Sequence, residues 1–177
     1  MLCEFQISCH DTKEHLFVIN VHLEGNPSKS STRVRQLRHA LQRLTHRLDS
    51  IGIQEKCARV IVAGDFNSTR DDSPCIFLQD GCISAGEDVA AQGPVDTITH
   101  PFNFFEMYSK YRMDSGFTHM RNGVGSRLDF IWCTENIQVE ALFESVPFGK
   151  SNEIRRNGIP NAFLPSDHLP VGGLILL

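Results

Sequence analysis

Four short segments of this sequence set a proton- or metal-competent side chain at the edge of an apolar run: Asn20-Val21-His22-Leu23, Gly64-Asp65-Phe66-Asn67, Leu128-Asp129-Phe130-Ile131 and Ser166-Asp167-His168. A carboxylate buried beside such a run is costly unless it is paired, hydrogen-bonded or bound to a cation, so each segment calls for a partner. Taken singly, each has an ordinary explanation: His22 as a satisfied core histidine, Asp65 as a strand-end turn residue, Asp129 as a cap, and Asp167 as the start of a turn before Pro170. Taken together they converge on one chemistry. Phosphodiester hydrolysis needs an activated water, a cation to neutralise the phosphorus oxyanion and a proton for the leaving alkoxide. Asp65 and Asn67, two apart on a strand end, point to the same side and can hold a water or a divalent ion with hard oxygen ligands. His168 can hydrogen-bond a phosphate oxygen while Asp129 fixes its tautomer and raises its basicity.

The elements that must position these residues are legible from pattern. Leu2–Ser8 and Leu16–Leu23, two apolar runs around a polar turn at His10–Glu14, predict a β-hairpin. Asn26–Ser31 is a loop. Val34, Leu37, Leu41, Leu44, Leu48 and Ile51 recur at three- and four-residue steps and predict an amphipathic helix, with Ser30, Ser31 or Thr32 as cap and Gly52 as stop. The outer face of that helix carries Arg35, Arg38, His39, Arg43, His46 and Arg47, a solvated basic face or a phosphate-tracking surface. Arg59–Ala63 predicts a buried strand that ends in Gly64-Asp65-Phe66-Asn67. A short helix starts at Ser73-Pro74 and stops at Gly81. Residues 82–103 read as irregular, Phe104–Arg112 as a short helix, and Leu128–Cys133, Val139–Ser145 and Leu174–Leu177 as strands. Strands interleaved with few helices predict a mixed, layered α/β fold in one domain over 1–177.

Composition narrows the classes further. The chain has 177 residues, 41% apolar and 21% charged, the balance of a soluble globular protein with a single core. Its net charge of −4 excludes a broadly polybasic binder. The first 60 residues carry nine basic and six acidic side chains, and the remainder eight and fifteen. Six cysteines with no C-x-x-C argue against a structural zinc, and with no apolar leader at Met1 they read as reduced thiols in an intracellular protein. No apolar stretch approaches the roughly 20 residues of a membrane span. Phe102, Phe104, Phe105, Tyr108 and Tyr111 are candidates for stacking single-stranded bases, with core packing the better reading.

In this order, His22, Gly-Asp-Phe-Asn at 64–67, Leu-Asp-Phe-Ile-Trp at 128–132 and Ser-Asp-His-Leu-Pro-Val at 166–171 resemble the endonuclease/exonuclease/phosphatase superfamily. Within it the likeness is to the carbon catabolite repressor-type deadenylases and their nocturnin and Angel relatives. Val-Ile-Asn-Val-His-Leu at 18–23, the helix start Arg33–Leu37 and Phe117-Thr118-His119 support it. The resemblance implies a layered β-sandwich flanked by helices and a Mg²⁺-dependent phosphodiester hydrolase, with Mn²⁺ as a substitute, acting as a 3′–5′ exoribonuclease on single-stranded RNA. A catalytically deficient nucleic-acid-binding fragment and a lipid or inositol phosphatase are the alternatives on the same scaffold. It further implies that Asp65 activates or orients the attacking water, Asn67 holds water or phosphate, His168 contacts the scissile phosphate and Asp129 buttresses His168. Asp167, with Asp65 and Asn67, would bind the metal, and His22 would assist the leaving group.

The family's first motifs, an Asn and a Gln-Glu pair whose Glu holds the metal, lie upstream of the strand that corresponds to Leu16–Leu23. Gln54-Glu55 follows the long helix and is in the wrong order to serve. The resemblance therefore implies that these residues form the C-terminal two-thirds of a family domain without its N-terminal strands. An upstream segment or a second chain would complete it, and the 177 residues alone are expected to bind Mg²⁺ weakly and cleave little.

Overall fold

The computed structural model describes residues 1–9, 12–84, 97–111, 116–146 and 151–176. In chain order the elements are β1 (Leu2–Cys9), β2 (Thr12–His22), α1 (Ser30–Ile51), β3 (Arg59–Asp65), α2 (Ser73–Asp80), β4 (Cys82–Ser84), β5 (Thr97–Thr99), β6 (Phe104–Glu106), α3 (Met107–Lys110), β7 (His119–Arg121), β8 (Val124–Ser126), β9 (Asp129–Thr134), β10 (Gln138–Leu142), α4 (Ser151–Asn157) and β11 (Gly173–Leu176). Five strands form one mixed sheet in the order β1-β2-β3-β9-β6, with β2 and β3 parallel and the other neighbours antiparallel.

The central strands are apolar on both faces because both faces are covered. On one face Phe17, Ile19, Val60, Val62, Phe130 and Trp132 meet Leu37, Leu41, Leu44 and Leu48 of α1 and Phe77 and Leu78 of α2. On the other, Ile61, Ala63, Ile131, Cys133 and Phe105 pack with Met107, Tyr108, Val139 and Ile175 beneath the β10–β11 pair. Each large side chain so buried contributes about 1.5–3 kcal/mol. The layered α/β arrangement expected from the sequence is thus present, with a small second sheet above the large one.

The long helix takes the predicted face and stop: Gly52 adopts a left-handed φ of 72° and donates its N–H to the Asp49 and Leu48 carbonyls. Its start differs from expectation. Lys29 occupies the N-cap position and no side chain caps there, while Ser30 already lies inside the helix. The buried Arg33 guanidinium instead ties down the preceding loop by donating to the Glu24 and Asn26 carbonyls at 3.2 and 2.8 Å. At α2 the cap position is Asp72, one residue before the expected Ser73. The expected turn His10–Glu14 is shorter, because Thr12 already pairs with Cys9; His10 and Asp11 lie outside the described residues.

Two expectations need correction. Within the stretch read as irregular, β4 and β5 pair, Cys82 with Thr99 through Ser84 with Thr97, around residues 85–96, which lie outside those described. Where a helix is expected over Phe104–Arg112, Phe104–Lys110 is a strand followed by one helical turn, since Phe104–Glu106 finds a partner in the Thr134–Trp132 edge of β9; Arg112 lies outside the described residues. Glu106 makes that junction. Its fully buried carboxylate accepts from the N–H groups of Tyr108 and Ser109 and from Arg127 at 2.7 Å, anchoring the segment that leads into Asp129. The aromatic candidates resolve mostly as core: Phe102, Phe104 and Tyr108 are buried and Phe105 packs under β10–β11, leaving Tyr111 exposed.

Candidate active site

Register alone brings three of the candidate residues into one row. His22 at the end of β2 is the Cα partner of Asp65 at the end of β3, and Asp65 is the partner of Asp129 at the start of β9. Residues directly opposite on neighbouring strands share a face, so the three side chains stand side by side about 4.8 Å apart. Asp65 and Asp129 lie two residues from Ala63 and Ile131, and hence on the β10–β11 side of the sheet. The close strand approach depends on Gly64: its φ is 133°, and a Cβ there would sit 2.0 Å from the Val21 carbonyl oxygen.

His168 reaches the row from the far end of the chain. Its Nδ1 lies 2.8 Å from Asp129 Oδ2, and its Nε2 is 3.8 Å from Asp65 Oδ2. His22 flanks the same oxygen from the other side, with Nε2 at 3.6 Å and a side chain 79% exposed. The second oxygen, Asp65 Oδ1, accepts the Asn67 backbone N–H at 2.7 Å, so Oδ2 is the one turned to the imidazoles. Asn67 has a left-handed φ of 47°, and its Nδ2 donates to the Leu23 carbonyl at 2.8 Å. Asn67 therefore fixes both Asp65 and the loop after His22, and its side-chain carbonyl is what it offers to a water or an ion.

Two residues that motif reading left outside the site belong to it geometrically. Thr118 is buried, and its Oγ1 accepts the N–H groups of Leu128 and Asp129 at 3.0 Å each. His119 lies directly across from His168, with ring centroids 4.7 Å apart. The signal was present: Thr118-His119 between the buried Phe117 and Met120 repeats the polar-beside-apolar pattern of the other four segments. Asp167 joins this edge, its Oδ2 3.8 Å from His119 Nε2.

The pKa of both members of the Asp129–His168 pair is raised. Burial pushes the Asp129 carboxyl up, against hydrogen bonds from Thr118 and His168. Burial works to lower the His168 pKa, but the Asp129 hydrogen bond and the Asp129, Asp65 and Asp167 charges outweigh it and raise it above the usual imidazole value. When protonated, His168 presents its Nε2–H toward Asp65 Oδ2, 3.8 Å away.

The donor set suits a hard divalent ion sparingly. Mg²⁺ is commonly held by one or two carboxylates with waters and substrate oxygens filling an octahedron. Asp65 Oδ2, the exposed Asp167 carboxylate and the Asn67 carbonyl are oxygen donors of that kind. Gln54-Glu55, by contrast, precedes β3 and so lies at its opposite end, as its order in the chain implied.

Comparison with known proteins agrees with the fold. Residues 26–168 match the sequence model of the Endonuclease/Exonuclease/phosphatase family. The "CCR4-Not complex 3'-5'-exoribonuclease subunit Ccr4" of Debaryomyces hansenii is 27% identical over 171 residues, covering 90% of this chain and 20% of that protein. The "Carbon catabolite repressor protein 4 homolog 4" of Arabidopsis thaliana is 25% identical over 162 residues, covering 90% of this chain and 37% of its own. Among solved structures, ANGEL2, described as a 2',3'-cyclic phosphatase, superimposes with a TM-score of 0.67 at 18% identity, covering 92% of this chain and 57% of that one. The human Nocturnin catalytic domain with bound sulfate gives 0.55 at 16% identity, covering 96% and 51%. This chain thus spans about a fifth of the first curated relatives and just over half of the structural ones.

Proposed function

The chain belongs to the endonuclease/exonuclease/phosphatase family, and from that premise we propose that it is a divalent-metal-dependent phosphodiester hydrolase that removes nucleotides from the 3′ end of single-stranded RNA. The observation that carries the proposal is the in-register row His22–Asp65–Asp129 with His168 docked on Asp129. The curated relatives named as 3′–5′ exoribonuclease subunits support the substrate class. Cys3, Cys57, Cys75, Cys82 and Cys133 are free thiols, and no helix of the described residues is long and apolar enough to cross a membrane.

In this reading Asp65 Oδ2 accepts the proton of the attacking water, its other oxygen being fixed by the Asn67 N–H. As the water oxygen bonds to phosphorus, His168 donates from Nε2 to a non-bridging phosphate oxygen, and Asp129 holds the imidazolium in place. The P–O3′ bond breaks, and the leaving alkoxide takes its proton from His22 on the solvent side of Asp65. Mg²⁺, held by Asp167 with Asp65 and the Asn67 carbonyl, would neutralise charge on the phosphate, and Mn²⁺ would substitute because it takes the same carboxylate, carbonyl and water oxygens. Waters and substrate oxygens would fill the remaining positions.

Incubation of the chain with 5′-labelled oligoadenylate, with Mg²⁺ and with chelator, tests the reading. Stepwise, Mg²⁺-dependent release of mononucleotides supports it. RNA binding with no cleavage under any metal would make the chain a nucleic-acid-binding module, and release of phosphate from an inositol phosphate but not from RNA would make it a phosphatase.

A further inference from the structure

We infer that the outer face of α1 is a phosphate-tracking surface separate from the catalytic row, which holds the single-stranded RNA leading away from that row and so binds longer RNAs more tightly. The buried stripe of α1, Leu37, Leu41, Leu44 and Leu48, lies on the sheet, so the opposite face points to solvent. There Arg35, His39, Gln42 and His46 fall within about 60° of one another around the helix axis, with Arg38 and Arg43 on either flank. All of them are exposed. Between Ser30 and Leu48 the helix carries no Asp or Glu. A face that is merely solvated interleaves the two signs, because opposite charges three or four residues apart support a helix and like charges oppose it. Here Arg35 and Arg38 are three apart, and Arg43 and Arg47 four apart.

The protein itself hardly neutralises this face. Arg47 donates to both oxygens of Glu4, at 2.7 and 3.2 Å. Arg35 reaches only the Thr32 hydroxyl at 3.4 Å, and Arg38 and Arg43 meet no hydrogen-bond or ion-pair partner among the described residues. Charge complementarity selects a polyanion, and position selects RNA. β2 ends at His22, residues 23–29 turn over the sheet end, and α1 runs back along β2 until Arg47 reaches Glu4, the partner of Phe17. The turn is tied to both neighbours: Arg33 donates to the Glu24 and Asn26 carbonyls, and the Asn67 side chain donates to the Leu23 carbonyl. Its one carboxylate, Glu24, is occupied by the Asn26 N–H. The basic stripe therefore begins one turn away from Asp65, with the exposed Lys29 at its head, and recedes for about 16 Å from Arg35 to His46. An RNA whose 3′ end lies at Asp65 passes over Lys29 and down the helix; an acidic protein would have no need of a track that starts at the catalytic row. The track rests on the reading of the site proposed above.

Fluorescence anisotropy of labelled oligoadenylates of about 4 and about 20 nucleotides, in chelator so that no cleavage competes, tests the surface. The long RNA should bind at least about tenfold more tightly than the short one at low salt. Arg38→Gln combined with Arg43→Gln should remove most of that advantage and lower the slope of log Kd against log salt by about 1.4, at about 0.7 for each single-strand phosphate contact, with the short RNA bound as before. Lys13→Gln with Lys56→Gln removes the same charge at the end of the sheet opposite the site and should leave both lengths bound as in the parent. Circular dichroism melts confirm folding; if the double arginine variant does not fold, Arg35→Gln, with a slope change of about 0.7, carries the test. Equal affinity for the two lengths, an unchanged slope in a folded variant, or the same loss in the lysine pair overturns the surface. An oligoglutamate of matched charge that competes as well as the RNA would make the face a dock for an acidic protein and overturns it too. Cleavage without length-dependent binding removes this surface alone, whereas length-dependent binding through α1 without cleavage keeps the surface and removes the hydrolase reading.

Discussion

Asp129 Oδ2 and His168 Nδ1, 39 residues apart in the chain, meet at 2.8 Å, and the contact is built from two independent backbone constraints. β9 sets Asp129 opposite Asp65, and the β7 edge holds His168 opposite His119. A pair fixed from both sides should act as one unit. His168→Ala and Asp129→Ala should each lower hydrolysis by about 10²–10⁴-fold, and the double variant should be little worse than the worse single. Initial rates on labelled oligoadenylate for the four proteins measure it; multiplicative losses would show that the two residues act separately.

Gly64→Ala tests the backbone beneath the site. The added methyl meets the Val21 carbonyl at 2.0 Å on a residue whose φ of 133° already disfavours any side chain. We expect a loss of stability on the order of 3 kcal/mol, read from urea unfolding of folded material. An unchanged midpoint would mean that β2 and β3 do not pair as described.

His100 provides a pH signature away from the site. Burial lowers its pKa, against the pull of the Phe77 carbonyl, which accepts from Nε2 at 2.9 Å. Above about pH 6.5 the residue is neutral in both folded and unfolded chains and adds no pH dependence. Between that value and the depressed native pKa the unfolded chain binds a proton that the native chain does not, so stability falls as pH falls, and the effect levels off once native His100 also protonates. Melting temperatures taken from about pH 7.5 to about pH 5.5 should drop less in His100→Gln than in the parent. His168, whose pKa is raised, pulls the opposite way in both proteins and cancels in the comparison. Identical slopes would contradict the assignment.

What could be read in the sequence follows from how local each signal is. The apolar steps from Val34 to Leu48 and the Gly52 stop are properties of one segment, and α1 forms where they place it. The Gly-Asp-Phe-Asn and Ser-Asp-His segments were legible because several chemical constraints fall on adjacent residues. The three-residue strands β4 to β8 were not, because three residues carry no periodicity and their pairing is decided by partners elsewhere in the fold. His119 was missed as a site residue although Thr118-His119 repeats the polar-beside-apolar pattern, because that pattern alone does not say what it faces. Its meaning comes from standing across from His168, a relation that exists only after the chain folds.

The central claim is that Asp65 Oδ2, poised between His22 and His168, serves the water that attacks a phosphodiester. The most direct measurement compares Mg²⁺-dependent release of mononucleotide from 5′-labelled oligoadenylate by the parent chain and by Asp65→Ala, with both melts recorded. The account predicts release that is abolished by chelator and lowered by at least about 10²-fold in a folded Asp65→Ala variant. Release by Asp65→Ala within tenfold of the parent would contradict it.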